Sequence, residues 1–153
     1  MTTREPDNHI RQIIPFFWVE DINTTLRFYV DGLGFSINKK WSDDGKIRWC
    51  ELQSGNVSIM LQEFWRERPH MGRPEGLLGQ GIVTYFICEN ALAFYEKIVA
   101  RGIIAGEPFI GNGMWVTELF DPDGYKIVFE SPTDVAEETK YADWLEHSHS
   151  EKR

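Results

Sequence analysis

Glu118 and Glu130 stand in the stretch TELFDPDGYKIVFESP, Thr117 to Pro132, which has the form of a strand, a tight turn and a second strand. Glu51 and Gln62 occupy a similar place in RWCELQSGNVSIMLQEF, Arg48 to Phe64. Carboxylates brought to one strand face could hold a metal ion, exchange protons or receive a polar ligand. Histidines would sharpen the choice, but all four lie elsewhere: His9 near the N-terminus, His70 in mid-chain, His147 and His149 near the C-terminus. Three of these suit a solvated surface. His70 is the exception, because a loop folded over the strands could bring it to Glu130. Cys50 and Cys88 sit in apolar, strand-like runs and suit core filling, since a reactive thiol needs an electropositive, partly exposed setting.

The elements that must position these groups repeat. IIPFFWVEDINTTLRFY (Ile13 to Tyr29) resembles IVTYFICENALAFYEKI (Ile82 to Ile98), and an offset of 69 pairs Ile14 with Val83, Phe16 with Tyr85 and Val19 with Cys88. Further on, Glu51 pairs with Glu118 (offset 67) and Met60 with Val128 (offset 68). Each half has the order β-α-β-β-β. Strands are expected at Gln12–Val19, Phe35–Trp41, Ile47–Gln53 and Val57–Phe64, then at Gly81–Cys88, Ile103–Ile110, Met114–Phe120 and Tyr125–Ser131. Asn23 or Thr24 is expected to cap the first helix, which DGLG ends; the second helix is expected over Leu92–Arg101, stopped by Gly102.

The class is therefore α+β, with two tandem βαβββ modules. The chain divides into an arm (1–11), a first module (12–64), a loop (65–80), a second module (81–131) and a tail (132–153). The loop could cover a site. In the tail, DVAEETKYADWLEH suits an amphipathic helix and SHSEKR a disordered end.

With 153 residues, 42% hydrophobic and 26% charged, the chain suits one globular domain. Aromatics reach 14%, more than a small core needs, so some should line a site. A net charge of −8 without clustered Lys or Arg argues against nucleic acid and is compatible with a cationic small ligand. Two thiols outside CxxC spacing, with no signal peptide or membrane-spanning run, lead us to expect a cytoplasmic protein with no membrane partner.

VEDINTTLRFYVDGLGF and DPDGYKIVFE, within one βαβββ repeat, resemble the glyoxalase/bleomycin-resistance/extradiol-dioxygenase group, the vicinal oxygen chelate superfamily. The resemblance runs from about Gln12 to Ser131. It implies paired modules forming a curved mixed sheet around a cleft, often in a homodimer. In metal-dependent members each module supplies two ligands, one from its first strand and one from its last. Carried over by position, these places hold Ile14, Met60, Val83 and Val128. None suits a hard or borderline divalent ion, so no metal or other cofactor is expected.

Ile59, Leu61, Ile127 and Phe129 read as the face beneath the helices, which fixes the register. Alternation then sends Ile14, Phe16, Trp18, Trp49, Glu51, Met60, Gln62, Val83, Tyr85, Val116, Glu118, Val128 and Glu130 to the cleft side. Such a wall suits a small organic molecule, aromatic, cationic or both. The leading expectation is a metal-free binding protein resembling the bleomycin-resistance members. Two alternatives stand beside it: a metal-dependent glyoxalase-, isomerase- or dioxygenase-type enzyme with displaced ligands, and metal-free acid–base chemistry by Glu130 with Tyr85 or Glu118.

Overall fold

A computed structural model describes residues 3, 4 and 9–150. Most of the expected N-terminal arm and the last three tail residues lie outside the described residues. In the first half, strand β1 (Phe16–Val19) leads into helix α1 (Ile22–Leu26), followed by β2 (Ser36–Asp43), β3 (Lys46–Ser54) and β4 (Val57–Glu63). The second half runs β5 (Val83–Ile87), α2 (Ala91–Ala100), β6 (Phe109–Gly111), β7 (Met114–Phe120) and β8 (Lys126–Pro132), and the tail ends in α3 (Tyr141–Ser150). The strands form two four-stranded sheets, ordered β1-β4-β3-β2 and β5-β8-β7-β6. In each, the first and last strands of the module pair parallel and the other pairs are antiparallel. The α+β class and the tandem modules are observed; the two sheets are not closed.

Several boundaries differ from expectation for local reasons. β1 begins at Phe16 because Pro15 has no N–H to give a ladder, although its carbonyl still accepts from Met60 N (2.9 Å). Asp21, rather than Asn23 or Thr24, caps α1, its Oδ1 accepting from both of those residues' amides. Beyond α1 the chain widens into a π-helical stretch, Arg27–Gly32, in which Leu33 N–H reaches back to Phe28 O (2.9 Å). Gly32 packs tightly there: a Cβ would come within 2.5 Å of Ile103 Cδ1, so that side chain would have to move. Of the expected strand Ile103–Ile110, only Phe109 and Ile110 join the sheet, in a strand that runs on to Gly111. Upstream, Gly106 and Pro108 interrupt the extended run, and Gly106 holds β7 through Glu118 O (2.8 Å) and Thr117 Oγ1 (3.0 Å). The end of the tail is helical rather than disordered as far as Ser150, because α3 docks on the second module. Tyr141 stacks on Trp144, and both pack on Trp115 (centroids 6.1 and 5.7 Å).

The modules share one core. Phe17, Tyr29, Phe35, Leu52 and Leu61 of the first pack with Phe86, Ile98, Ile127 and Phe129 of the second. Aromatic contacts cross between them, Phe35 to Phe86 (5.9 Å) and Phe17 to Tyr125 (4.9 Å). The DPDG turn then clamps the halves together. Asp121 Oδ1 accepts amides from Asp123 and Tyr125, while Oδ2 accepts the Tyr29 hydroxyl at 3.0 Å. Asp123 Oδ1 accepts Glu20 N–H, and Tyr125 Oη donates to Trp18 O (2.7 Å). The turn that ends one hairpin is thus built into the other module.

Burial foremost pushes the Asp121 carboxyl up to about 6 from its ordinary 3.8, against opposing hydrogen bonds from Tyr125 and Tyr29. Its proton is therefore held more tightly in the folded chain than in the unfolded one. The stabilisation is present below pH 3.8 and is lost as pH rises through about 6. Asp121→Asn keeps an oxygen for the two amides and removes the titration. Urea unfolding of wild type minus variant should show a stability difference that falls by about 2 kcal/mol between pH 4 and 6.5. A difference independent of pH would mean that Asp121 titrates normally.

Each helix also begins on the last strand of its own module. Ile22 N–H donates to Glu63 Oε2 (3.0 Å), and Ala91 N–H donates to Ser131 Oγ (2.8 Å). Glu63 is buried and receives Lys46 and Arg48 as well. The Arg48 guanidinium lies over the Trp65 ring (4.4 Å), and Arg68 lies over the same ring (3.7 Å).

Candidate functional site

The pairing registers show which expected site residues meet. On the first sheet, Phe16, Met60 and Glu51 form one row, and Trp18, Gln62 and Trp49 form the next. On the second, Tyr85, Val128 and Glu118 form a row, and Ile87, Glu130 and Val116 the next. The rows are equivalent: Phe16 faces Met60 as Tyr85 faces Val128, and Glu51 faces Met60 as Glu118 faces Val128. Ile59, Leu61, Ile127 and Phe129 lie on the opposite, buried faces. Ile14 precedes β1, and Val83 opens β5 opposite Lys126.

Within one chain these faces are open. Phe16 is 41% exposed, Tyr85 56% and Ile87 63%, whereas Val128 between its neighbours is fully buried. Phe109 and Phe120 also lie on the second face, opposite Val116 and Lys126. Sequence reading omitted Ile87, Phe109 and Phe120. The same alternation carried one pair further would have found Ile87 and Phe120.

The carboxylates are not alike. Glu51 accepts from Asn38 Nδ2 (3.1 Å), and Glu118 pairs with Lys126 (3.3 Å). Glu130 stands between Ile87 and Val116, and its carboxylate has no hydrogen-bond or ion-pair partner among the described residues. Burial pushes the Cys50 thiol up to about 11 and raises that of Cys88, whose Sγ faces Glu130 O (3.5 Å). Neither has the setting of a nucleophile. His70 is exposed in a left-handed turn (φ 64°). Its loop is tied to Glu20 through Arg66 and Arg73, and packs Gly79 on Tyr125 at the start of β8. Glu130 lies five residues further along, roughly 16 Å by strand geometry.

The family model described as Glyoxalase/Bleomycin resistance protein/Dioxygenase superfamily matches residues 8–129. The chain belongs to this superfamily. Among solved structures, it resembles TnmS3, an antibiotic binding protein from Streptomyces sp. CB03234, at 19% identity and TM-score 0.59, covering 80% of this chain and 98% of that one. TioX from Micromonospora sp. ML1 gives 15% identity and TM-score 0.64 over 80% and 98% of the two chains. A glyoxalase/bleomycin resistance protein/dioxygenase from Nocardioides gives 16% and 0.61 over 86% and 90%. At these identities the likeness establishes the fold. No curated protein matches the chain.

The resemblance read from the sequence implies that the metal ligands of metal-dependent members would fall at Ile14, Met60, Val83 and Val128. Three hydrocarbon side chains and one thioether do not fit a divalent ion of the harder kind. Among the described residues, no three His, Cys, Asp or Glu side chains gather closely enough to replace them. No step through a metal follows from these residues. No helix of the described residues is long and apolar enough to cross a membrane.

Proposed function

We propose that this superfamily member is a metal-free small-molecule-binding protein whose ligand lies against the open sheet faces. Its ligand is aromatic, cationic or both. The observation that carries this reading is the unpaired Glu130 carboxylate, set between Ile87 and Val116 on a face that also exposes Tyr85. Aromatic walls with few polar groups are the usual make-up of such a site. Trp18 and Trp49, flanking Gln62, offer a second stacking surface of the same kind. The likeness to an antibiotic binding protein supports small-molecule binding.

Two open faces per chain also suit a homodimer in which a second copy completes each cleft. Such an arrangement is self-complementary and closes on itself.

Chelator-treated protein should be titrated with planar aromatic dyes, each cation beside its neutral counterpart, and followed by tryptophan fluorescence. Trp18→Ala and Glu130→Gln are each expected to weaken the tightest cationic dye about ten-fold. Unchanged affinity in both variants would overturn the cleft assignment. Nickel, zinc, manganese and iron(II), added singly, are expected to leave the melting temperature unchanged. A stoichiometric metal that raises it would restore the metal-dependent reading.

A further inference from the structure

A groove of about 740 Å³ lies on the other side of the second module, between α2 and α3. It is separate from the sheet faces described above and has the volume of a small-molecule site. Its floor comes from the docking of the tail. Trp115 is nearly buried, Trp144 meets it edge-on (5.7 Å), and Leu92 of α2 adds an apolar wall.

The rim has one sign of charge. Glu89, Glu96 and Asp134 line the groove, while no Lys or Arg does; His149 is the only histidine there. None of the three carboxylates joins an ion pair among the described residues. Nor do they gather closely enough to hold a metal ion. The three carboxylates are exposed around the groove, so a cation that meets them all has its charge spread over a larger body, and the indole of Trp144 favours an aromatic or apolar one. We infer that this groove is a second binding site, for a bulky organic cation. Its apolar body would lie on the half-buried Trp144, above the buried Trp115, with its charge facing Glu89, Glu96 and Asp134.

Tetraphenylphosphonium and its near-isosteric anion tetraphenylborate test this on the full chain. Calorimetry gives affinities, and the six indole N–H resonances, assigned by single Trp→Phe variants, give position. The cation is expected to bind at least about ten-fold more tightly than the anion and to move the Trp115 and Trp144 signals. Combined Glu89→Gln, Glu96→Gln and Asp134→Asn should weaken it by about ten-fold. A control that removes equal charge elsewhere (Asp31→Asn, Asp44→Asn, Glu67→Gln) should keep it within about two-fold. Equal binding of the two ions, equal losses in the rim and control variants, movement of Trp18 and Trp49 instead, or no binding at millimolar cation would each overturn the inference. The indole map needs no rim variant and stands if those variants misfold.

Discussion

Replacing Tyr29 with alanine should destabilise the fold by about 4 kcal/mol, and with phenylalanine by about 1 kcal/mol. Tyr29 is fully buried and stacks on Phe17 (6.3 Å), and it meets Phe28 and Phe35 edge-on (5.0 and 6.1 Å). Alanine removes the whole ring from the core and leaves a cavity whose walls are fixed by two modules, so collapse can refill little of it. Phenylalanine keeps the ring and removes only the hydroxyl that Asp121 accepts at 3.0 Å. Burial, followed by the neighbouring Asp121 carboxylate, holds the phenol well above its ordinary value, so it stays a donor across the working pH range. Urea midpoints at unchanged slope would measure both losses. Equal losses would mean that the hydrogen bond, not the ring, secures the clamp, and an unaffected alanine variant would refute the shared core.

The second large effect is expected at Glu63. Its alanine variant should lose about 3 kcal/mol, while glutamine should lose about 1 kcal/mol. The carboxylate is 6% exposed and receives Ile22 N–H together with Lys46 and Arg48. Alanine leaves a buried amide without an acceptor and a partly buried guanidinium without its anion. Arg48 Nε is already buried without a partner, so that guanidinium has little left to hold it. Glutamine still accepts from Ile22 and loses only the charge. Matching losses in the two variants, read by thermal and urea unfolding, would assign the role to the ion pairs rather than to the helix start.

Much of the fold was legible because one repeat carried it. The offsets that matched Phe16 with Tyr85 and Met60 with Val128 reappear as two identical cross-strand pairs. The period of two also placed Ile59 and Ile127 in the core, since burial on one face leaves little freedom of register. Long-range polar partners were not legible. Asp121 looked like an ordinary turn residue, and nothing local says that its second oxygen meets Tyr29. Nor does anything local single out Glu63, which starts a helix forty-one positions earlier in the chain. Its counterpart Ser131 hid for the same reason, because Glu and Ser share no likeness beyond an acceptor oxygen. The registers put the alternating residues of each sheet on one face, but local alternation says nothing about which carboxylate meets a cation. Lys126 neutralises Glu118 and leaves Glu130 unpaired.

The two last hairpins, alike in sequence position, differ in what the chain would tolerate there. The turn Ser54–Gly55–Asn56 is exposed, and a side chain at Gly55 would meet nothing within 4 Å. Its counterpart from Asp121 to Gly124 is threaded into the neighbouring module through Tyr29, Glu20 and Thr25. The chain could therefore be opened, lengthened or fused to another domain at Gly55 with both modules still joined. The same insertion after Asp123 would break the polar clamp between the halves and leave only their shared core to join them, so of these two turns one is permissive and one closed.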